Sequence, residues 1–318
     1  MEVIPVPDGP APQTFYSVAG RLLFVETLDL QLRNLIGLLF RGWQLTPVSF
    51  PDRSPDIHIN FACDDTSLEI PRHLNEFEIA EGGRCYTDGA DFYLALRNSL
   101  LHLVSGTPVT VNVRLAELPG PRDPLLATVA SFAVCAALRR FGLFDLHSAG
   151  VVNPADGKGV LIVGPSGNGK STLALQLALS GWPYLSDDEL LLSLVDAQVE
   201  ARGFRSFFAV SSELGSGFKN CFEPDVVFGS QRRERASPGS LLFIRLNGEE
   251  KSRLSKLTQA ETMTRLIRAC PWATYDTAIA GANLDVLSAL ARQATGFDLS
   301  AGRDLFAPAR AAELLSKY

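Results

Sequence analysis

Apolar and polar residues alternate along much of the first 120 positions. Short β-type runs fall at residues 21–26, 56–62, 91–96 and 109–115, and several of them alternate, as half-buried antiparallel strands do. One stretch breaks it. Leu30, Leu32, Leu35, Ile36, Leu38 and Leu39 predict a helix over residues 29–40, with Asp29 as its cap. Residues 1–14 are a Pro-rich lead expected to be loosely held, and Pro119-Gly120-Pro121 is the strongest punctuation in the chain. Beyond it the pattern changes. Residues 123–141 predict a helix stopped by Gly142, and residues 147–152 and 159–163 predict apolar strands joined by a turn at 153–158. Residues 170–180 predict a helix closed by Gly181. Residues 184–194 and 241–246 carry strand patterns, and residues 258–268 and 284–295 helical ones. Strands alternating with helices predict an α/β layer fold for residues 121–318. A mainly β, α+β domain of unassigned role, with substrate binding or assembly as candidate tasks, is expected at residues 1–120.

Composition narrows the class. A chain of 318 residues, 46% hydrophobic and 20% charged with mean hydropathy +0.11, is neither disordered nor collagenous nor a disulfide miniprotein. The formal charge is −6, which argues against a duplex-DNA binder. That charge is unevenly placed. Residues 1–125 hold 9 Arg, no Lys and 16 Asp+Glu, a net of −7, and the remainder nets +1. The acidic half is expected to favour a basic or neutral partner. The first residues carry Pro5, Pro7, Pro10 and Pro12 and no basic leader region, and the longest uncharged apolar stretch, residues 125–138, is shorter than a membrane span. Cys63, Cys85, Cys135, Cys221 and Cys270 are scattered and never spaced as CxxC. The expectation is a soluble cytoplasmic protein with reduced thiols, with no nucleic-acid or membrane partner.

The chemistry concentrates in one segment. After the apolar run 159–163 come Gly164-Pro165-Ser166-Gly167-Asn168-Gly169-Lys170-Ser171-Thr172, then an amphipathic stretch. This is GxxxxGK[ST] between a strand and a helix, the pattern of a phosphate-binding loop. Gly164, Gly167 and Gly169 are expected to take positive φ and let the backbone approach a phosphate. N–H groups of the loop and first helical turn would face its oxygens. Lys170 would neutralise the β- and γ-phosphates, and Ser171 would ligate Mg²⁺. A Gly-rich turn that binds nothing is the competing reading.

A nucleotide–Mg²⁺ site needs further carboxylates. Asp187 and Asp188 stand in the apolar run 184–194, where two adjacent charges are costly without a cation. In a continuous strand they would face opposite sides, so that one holds metal and the other accepts a proton. Solvated turn residues are the alternative. His147, one hairpin before the loop, is a candidate phosphate or carboxylate partner or else a hydrogen-bonded core histidine. Gln231-Arg232-Arg233-Glu234-Arg235, with Arg205 and Lys219 as weaker candidates, would hold an acidic peptide or transferred phosphate, or be solvated. Ser211-Ser212 and Gly215-Ser216-Gly217 would form a lid or an ordinary loop. Trp43, Trp182 and Trp272 read as core or interface residues.

His147, the loop and the aspartate pair, with Lys170 and Asp187 separated by 17 positions, together resemble the C-terminal catalytic domain of HPr kinase/phosphorylase. Leu185-Ser186-Asp187-Asp188 is similar to that family's LxADD segment. The resemblance implies a P-loop core of the HPr kinase and phosphoenolpyruvate carboxykinase type, using ATP and Mg²⁺. It implies Asp187 as base on a Ser hydroxyl, Asp188 beside it and on the metal with Ser171, His147 lining the phosphate side, and Lys170 and Gly164–Thr172 on the nucleotide. Thr172 stands where the bacterial enzymes usually have Glu, and Arg202-Gly203-Phe204-Arg205 does not match the Glu-x-Arg-Gly stretch that follows the family's pair. Gly281-Ala282-Asn283-Leu284 echoes a further signature. The chain therefore looks closer to the broader HPr kinase-related group, which includes kinases that phosphorylate a C-terminal Ser of lasso peptides. The implied acceptor is a hydroxyl of a peptide or protein, a natural-product precursor among them, and a homo-oligomer is compatible with it. A nucleotide-binding hydrolase or switch without an acceptor and a small-molecule hydroxyl kinase are the alternatives. A carboxykinase is disfavoured because His58, His73 and His102 lie in the other half.

Overall fold

The computed structural model describes residues 15–64, 69–79, 82–89, 91–120, 123–211, 219–222 and 232–315. Of residues 209–211, 219–222 and 306 the backbone alone is described. The chain forms a mixed α/β structure of two compact units, Met1–Arg41 with Leu45–Arg140, and Gly42–Gln44 with Phe141–Tyr318. The break in composition at Pro119-Gly120-Pro121 and the break in packing at Arg140/Phe141 are thus different positions. Among the described residues no helix is long and apolar enough to cross a membrane.

The first unit is built on one sheet of nine strands. In chain order these are β1 (Phe15–Val18), β2 (Arg21–Glu26), β3 (Thr46–Pro47), β4 (Ile57–Cys63), β5 (Asn75–Glu78), β6 (Arg84–Thr87), β7 (Asp91–Leu96), β8 (Ser99–Val104) and β9 (Val109–Leu115). They lie in the order β3-β1-β2-β4-β9-β8-β7-β6-β5. The β2–β4 and β4–β9 pairs are parallel and the rest antiparallel, so the run at residues 56–62 pairs in parallel on both sides, contrary to the antiparallel expectation. In β4 and β9 the alternation predicts the faces: Ile57, Ile59, Phe61, Val111 and Val113 are buried, while His58, Asn60, Thr110 and Asn112 between them are half-exposed. Helix α1 (Leu30–Arg41) is capped by Asp29, whose Oδ1 accepts from the N–H groups of Gln31 (2.8 Å) and Leu32 (3.0 Å). Its buried stripe is narrower than expected. Leu32, Ile36 and Phe40 are buried at i, i+4 and i+8, whereas Leu30 and Leu38 are exposed. Helix α2 (Pro124–Arg139), with Asp123 as N-cap, also belongs to this unit.

The second unit has two main sheets. A six-stranded sheet runs β13-β11-β12-β19-β21-β20, from β11 (Ser148–Val152), β12 (Gly159–Val163), β13 (Tyr184–Ser186), β19 (Pro238–Leu246), β20 (Arg253–Lys256) and β21 (Thr295–Ala301). Its central pairs β12–β19 and β19–β21 are parallel. A four-stranded antiparallel sheet runs β10-β14-β15-β18, from β10 (Phe144–Leu146), β14 (Leu190–Val195), β15 (Gln198–Gly203) and β18 (Arg235–Ala236). A separate hairpin pairs β16 (Phe208–Ser211) with β17 (Lys219–Phe222). On one side of the six-stranded sheet, α3 (Lys170–Leu179) and α7 (Pro308–Leu315) pack through Leu173, Leu177, Ala311 and Leu315 onto Val160, Ile162 and Leu242. On the other side, Leu161, Val163, Leu241 and Phe243 meet Leu190 and Leu192 of the smaller sheet together with α4 (Gln259–Ala269) and α6 (Ala280–Gln293). The short α5 (Trp272–Tyr275) joins these two helices.

Two expectations change here. The predicted helix over 284–295 starts earlier and ends at Gln293, because the alternating run from Thr295 pairs with β19 as β21. The apolar run 184–194 is two strands, not one. The chain turns at residues 187–189, where Asp188 takes φ +70°, so β13 joins the larger sheet and β14 the smaller.

Candidate functional site

β12 ends beside β19 and runs parallel to it, so both strands deliver their C-terminal ends to the same edge. The Gly164–Gly169 loop leaves β12 at that edge and enters α3 at Lys170. Two glycines hold the left-handed backbone, Gly167 at φ +81° and Gly169 at φ +85°. Gly164 does not, contrary to expectation. Its smallness is needed for contact: a Cβ there would sit 2.7 Å from the Ile244 carbonyl oxygen on β19. Asn168 ties the loop to the same strand, its Oδ1 accepting from Leu246 N at 3.4 Å. Gly169 is the N-cap of α3 and supplies no side-chain cap. The first-turn N–H groups have no acceptor within the helix. Ser171 and Thr172 stand on that turn.

Lys170 is the first residue of α3 and is only 5% exposed. Its Nζ donates to the carbonyls of Gly164 (2.8 Å) and Pro165 (3.2 Å) and lies 2.9 Å from His147 Nε2. An ammonium only donates, so His147 Nε2 must accept and the ring carries its proton on Nδ1. That Nδ1 lies 3.4 Å from Asp188 Oδ1. Lys170, His147 and Asp188 therefore form one continuous polar chain.

The topology explains why residues 41 positions apart meet. Two of the chain's three passages between the two sheets lie here, one at His147 between β10 and β11 and one at 187–189 between β13 and β14. β10 pairs with β14, with Leu146 opposite Leu190, and β11 pairs with β13, with Gly150 opposite Ser186. The two crossings are thereby held side by side. The strand and the histidine position inferred from sequence are one residue apart: His147 lies in the connection, and β11 begins at Ser148.

The aspartates do divide into one buried and one half-exposed group, but through the turn rather than the pleat of a strand. Asp187 is 1% exposed, while the Asp188 side chain is 42% exposed. Behind Asp187, burial and then its carboxylate push the phenol of Tyr184 well above its ordinary range, so that group stays protonated. The turn is fastened by Ser186, Glu189 and Arg205, none of which is assigned that role from sequence. Ser186 Oγ accepts from the N–H groups of Phe204 (3.2 Å) and Arg205 (2.9 Å) and donates to Glu189 O (2.7 Å). Glu189 Oε2 pairs with Arg205 Nη2 at 3.2 Å. Arg205, considered as a phosphate ligand, is engaged in this pair and lies over the Trp43 ring at 4.8 Å. A signal was present in the sequence: starting two residues before Arg202-Gly203-Phe204-Arg205, the run Glu200-Ala201-Arg202-Gly203 is a Glu-x-Arg-Gly stretch. Its last residue, Gly203, ends β15 against Leu185.

The other candidates fall elsewhere. Arg235 pairs with Glu200 (3.3 Å), and Arg232 Nη2 donates to Ser206 Oγ (3.3 Å). Trp43, Trp182 and Trp272 are buried. Gln231, Ser212, Gly215, Ser216 and Gly217 lie outside the described residues, as does the Lys219 side chain. Among the described residues no hydrogen bond joins Ser171 to Asp188, the two metal candidates.

The donors fit a magnesium-bound polyphosphate. An uncapped helix start, a loop that tolerates no Cβ at Gly164 and a buried ammonium suit the phosphates, and hydroxyl and carboxylate oxygens suit a hard divalent cation.

No protein-family model matches the chain, and no curated protein matches it. Among solved structures it is similar to the Hpr(Ser) kinase/phosphatase from Coxiella burnetii. That similarity has 19% identity and a TM-score of 0.28, and covers 36% of this chain and 77% of the other.

Proposed function

We propose that this protein is an ATP- and Mg²⁺-dependent kinase with a P-loop core of the HPr kinase type, transferring the γ-phosphate to a Ser or other hydroxyl of a peptide or protein. The observation that carries the reading is the contact chain Lys170–His147–Asp188, which joins a GxxxxGKS loop to an aspartate pair. A phosphate loop alone suits hydrolysis equally well; a buried carboxylate, Asp187, next in sequence to the aspartate that this contact chain reaches, suits removal of a proton from an acceptor hydroxyl.

In this reading the loop amides and the start of α3 bind the phosphates. Lys170 exchanges a loop carbonyl or His147 for a phosphate oxygen, since its three donors already have partners. Asp187 takes the hydroxyl proton as that oxygen bonds to the γ-phosphorus and the bond to the ADP oxygen breaks. Ser171 and Asp188 would hold Mg²⁺, which draws negative charge off the transferring group. His147 keeps Asp188 oriented through Nδ1–H.

The test is incubation with γ-labelled ATP, Mg²⁺ and a set of Ser-containing peptides, including Ser-terminated ones. Label on a peptide hydroxyl, dependent on Mg²⁺, is the expected result. Steady phosphate release that no acceptor alters would instead assign a hydrolase, and absence of ATP binding would remove the reading altogether.

A further inference from the structure

We infer that Gly42-Trp43-Gln44, a three-residue strap far from the site in sequence, positions the aspartate turn, with Gln44 as its principal positioning residue. The inference rests on the kinase reading for its catalytic consequence, though not for its structural one.

These three residues pack within the second unit, not with the residues on either side of them in the chain. They run antiparallel to residues 204–206. Gln44 N donates to Phe204 O and Ser206 N donates to Gly42 O, both at 2.8 Å, and Trp43 forms the bridge opposite Arg205. The side chains then reach the turn by two routes. Gln44 Nε2 donates to Leu185 O (3.1 Å) and to Arg205 O (3.1 Å), which uses both of its amide hydrogens. Leu185 lies two residues before Asp187. Trp43 is buried, with its ring 5.1 Å from that of Phe204 and the Arg205 guanidinium stacked on it. Arg205 in turn holds Glu189, the residue after Asp188. The strap thus reaches the turn on both flanks.

Two further observations point the same way. Gly203 admits no side chain, because a Cβ there would lie 2.2 Å from Gln44 Nε2 and 2.3 Å from Leu185 O. The chain keeps a glycine where the amide needs room. Asp188 has φ +70°, a conformation that persists in a non-glycine residue when its surroundings over-determine it. Ser186, Arg205 and Gln44 are those surroundings. None of them belongs to the phosphate loop, so the strap governs the aspartates and not nucleotide binding.

The experiment compares the full-length wild type with Gln44→Met, which keeps length and removes both donors, and with Arg205→Lys, which keeps charge and removes the planar stack and fork. Hydrogen exchange of the amides over residues 185–189 is read beside that of α3, together with kcat and KM for ATP. The expected result is exchange about tenfold faster in the turn, unchanged in α3, with kcat about tenfold lower and KM for ATP within about twofold. Unchanged exchange in the turn of both variants overturns the inference. So does a uniform rise across both regions, which would mean general destabilisation. If the wild type transfers no phosphate from ATP, the kinase reading fails, and the exchange data alone decide whether the strap holds the turn.

Discussion

The phosphate-type loop and the aspartate turn lie at opposite ends of one polar chain, yet they are built in opposite ways. The loop is made by nine consecutive residues whose shape follows from two left-handed glycines, one close approach to β19 and the start of a helix. The turn has a non-glycine residue in left-handed backbone, held by Ser186, Glu189, Arg205 and Gln44, the last being 141 positions from its partner Leu185. A local device keeps its form if its own residues are kept. A device of long-range bonds is sensitive to substitutions that no motif includes.

The sharpest way to separate the two is to remove one charge from each. Asp187→Asn is expected to lower phosphate transfer by about 10²–10⁴-fold. Binding of Mg·ADP, measured by calorimetry, should stay within about twofold of wild type. Lys170→Met should lower kcat/KM by about 10²–10³-fold and weaken Mg·ADP binding as well. If the first variant lost nucleotide binding too, loop and turn would be one unit and the contrast would collapse.

Glycine substitutions refine the contrast at lower cost. Gly164→Ala forces a Cβ against Ile244 O, and Gly203→Ala forces one against Leu185 O and Gln44. Each is expected to cost about 1–3 kcal/mol in urea unfolding. The first should impair Mg·ADP binding, the second phosphate transfer with binding retained. Equal loss of both functions in both variants would count against separate construction.

The smallest expected effect serves as a reference outside both regions. Burial pushes the Asp298 carboxyl up, but the hydrogen bond and charge of Arg265, with Arg245, outweigh this and hold it below the ordinary carboxylate value. A lowered folded-state value stabilises above the unfolded carboxyl's pKa of about 3.9 and is lost as pH falls through the folded one. Arg265→Gln should therefore cost about 0.5–1 kcal/mol at pH 7, discounted for the exposed arginine. In urea titrations that difference should shrink below about pH 3.9. Turnover should not change.

This division also decides what could be read from the amino-acid sequence. Strand, loop and helix around Lys170 were legible because periodicity and glycine spacing are local signals. Strands β4 and β9 of the first unit were legible for the same reason, as Ile57, Ile59, Val111 and Val113 show. The break after Ser186 was legible only as the alternative of a turn at the aspartate pair, since Asp tolerates left-handed backbone but does not require it. Gln44 and Trp43 gave no sign, because a single amide or indole acquires its partner only when distant strands are in register. Gly203 carried a local signal, as the last residue of Glu200-Ala201-Arg202-Gly203.

The six-stranded sheet separates two apolar layers, and the polar chain bridges its edge. Helix α3, which carries Lys170, rests in the layer with Leu173, Leu177 and Leu242; β14, which follows the turn, rests in the layer with Leu161, Leu190 and Leu266. Anyone tuning this protein therefore has two handles. Refilling the first layer adjusts how the loop and α3 are seated, refilling the second adjusts how β14 is seated after the aspartate turn, and libraries drawn from each can be screened separately before they are combined.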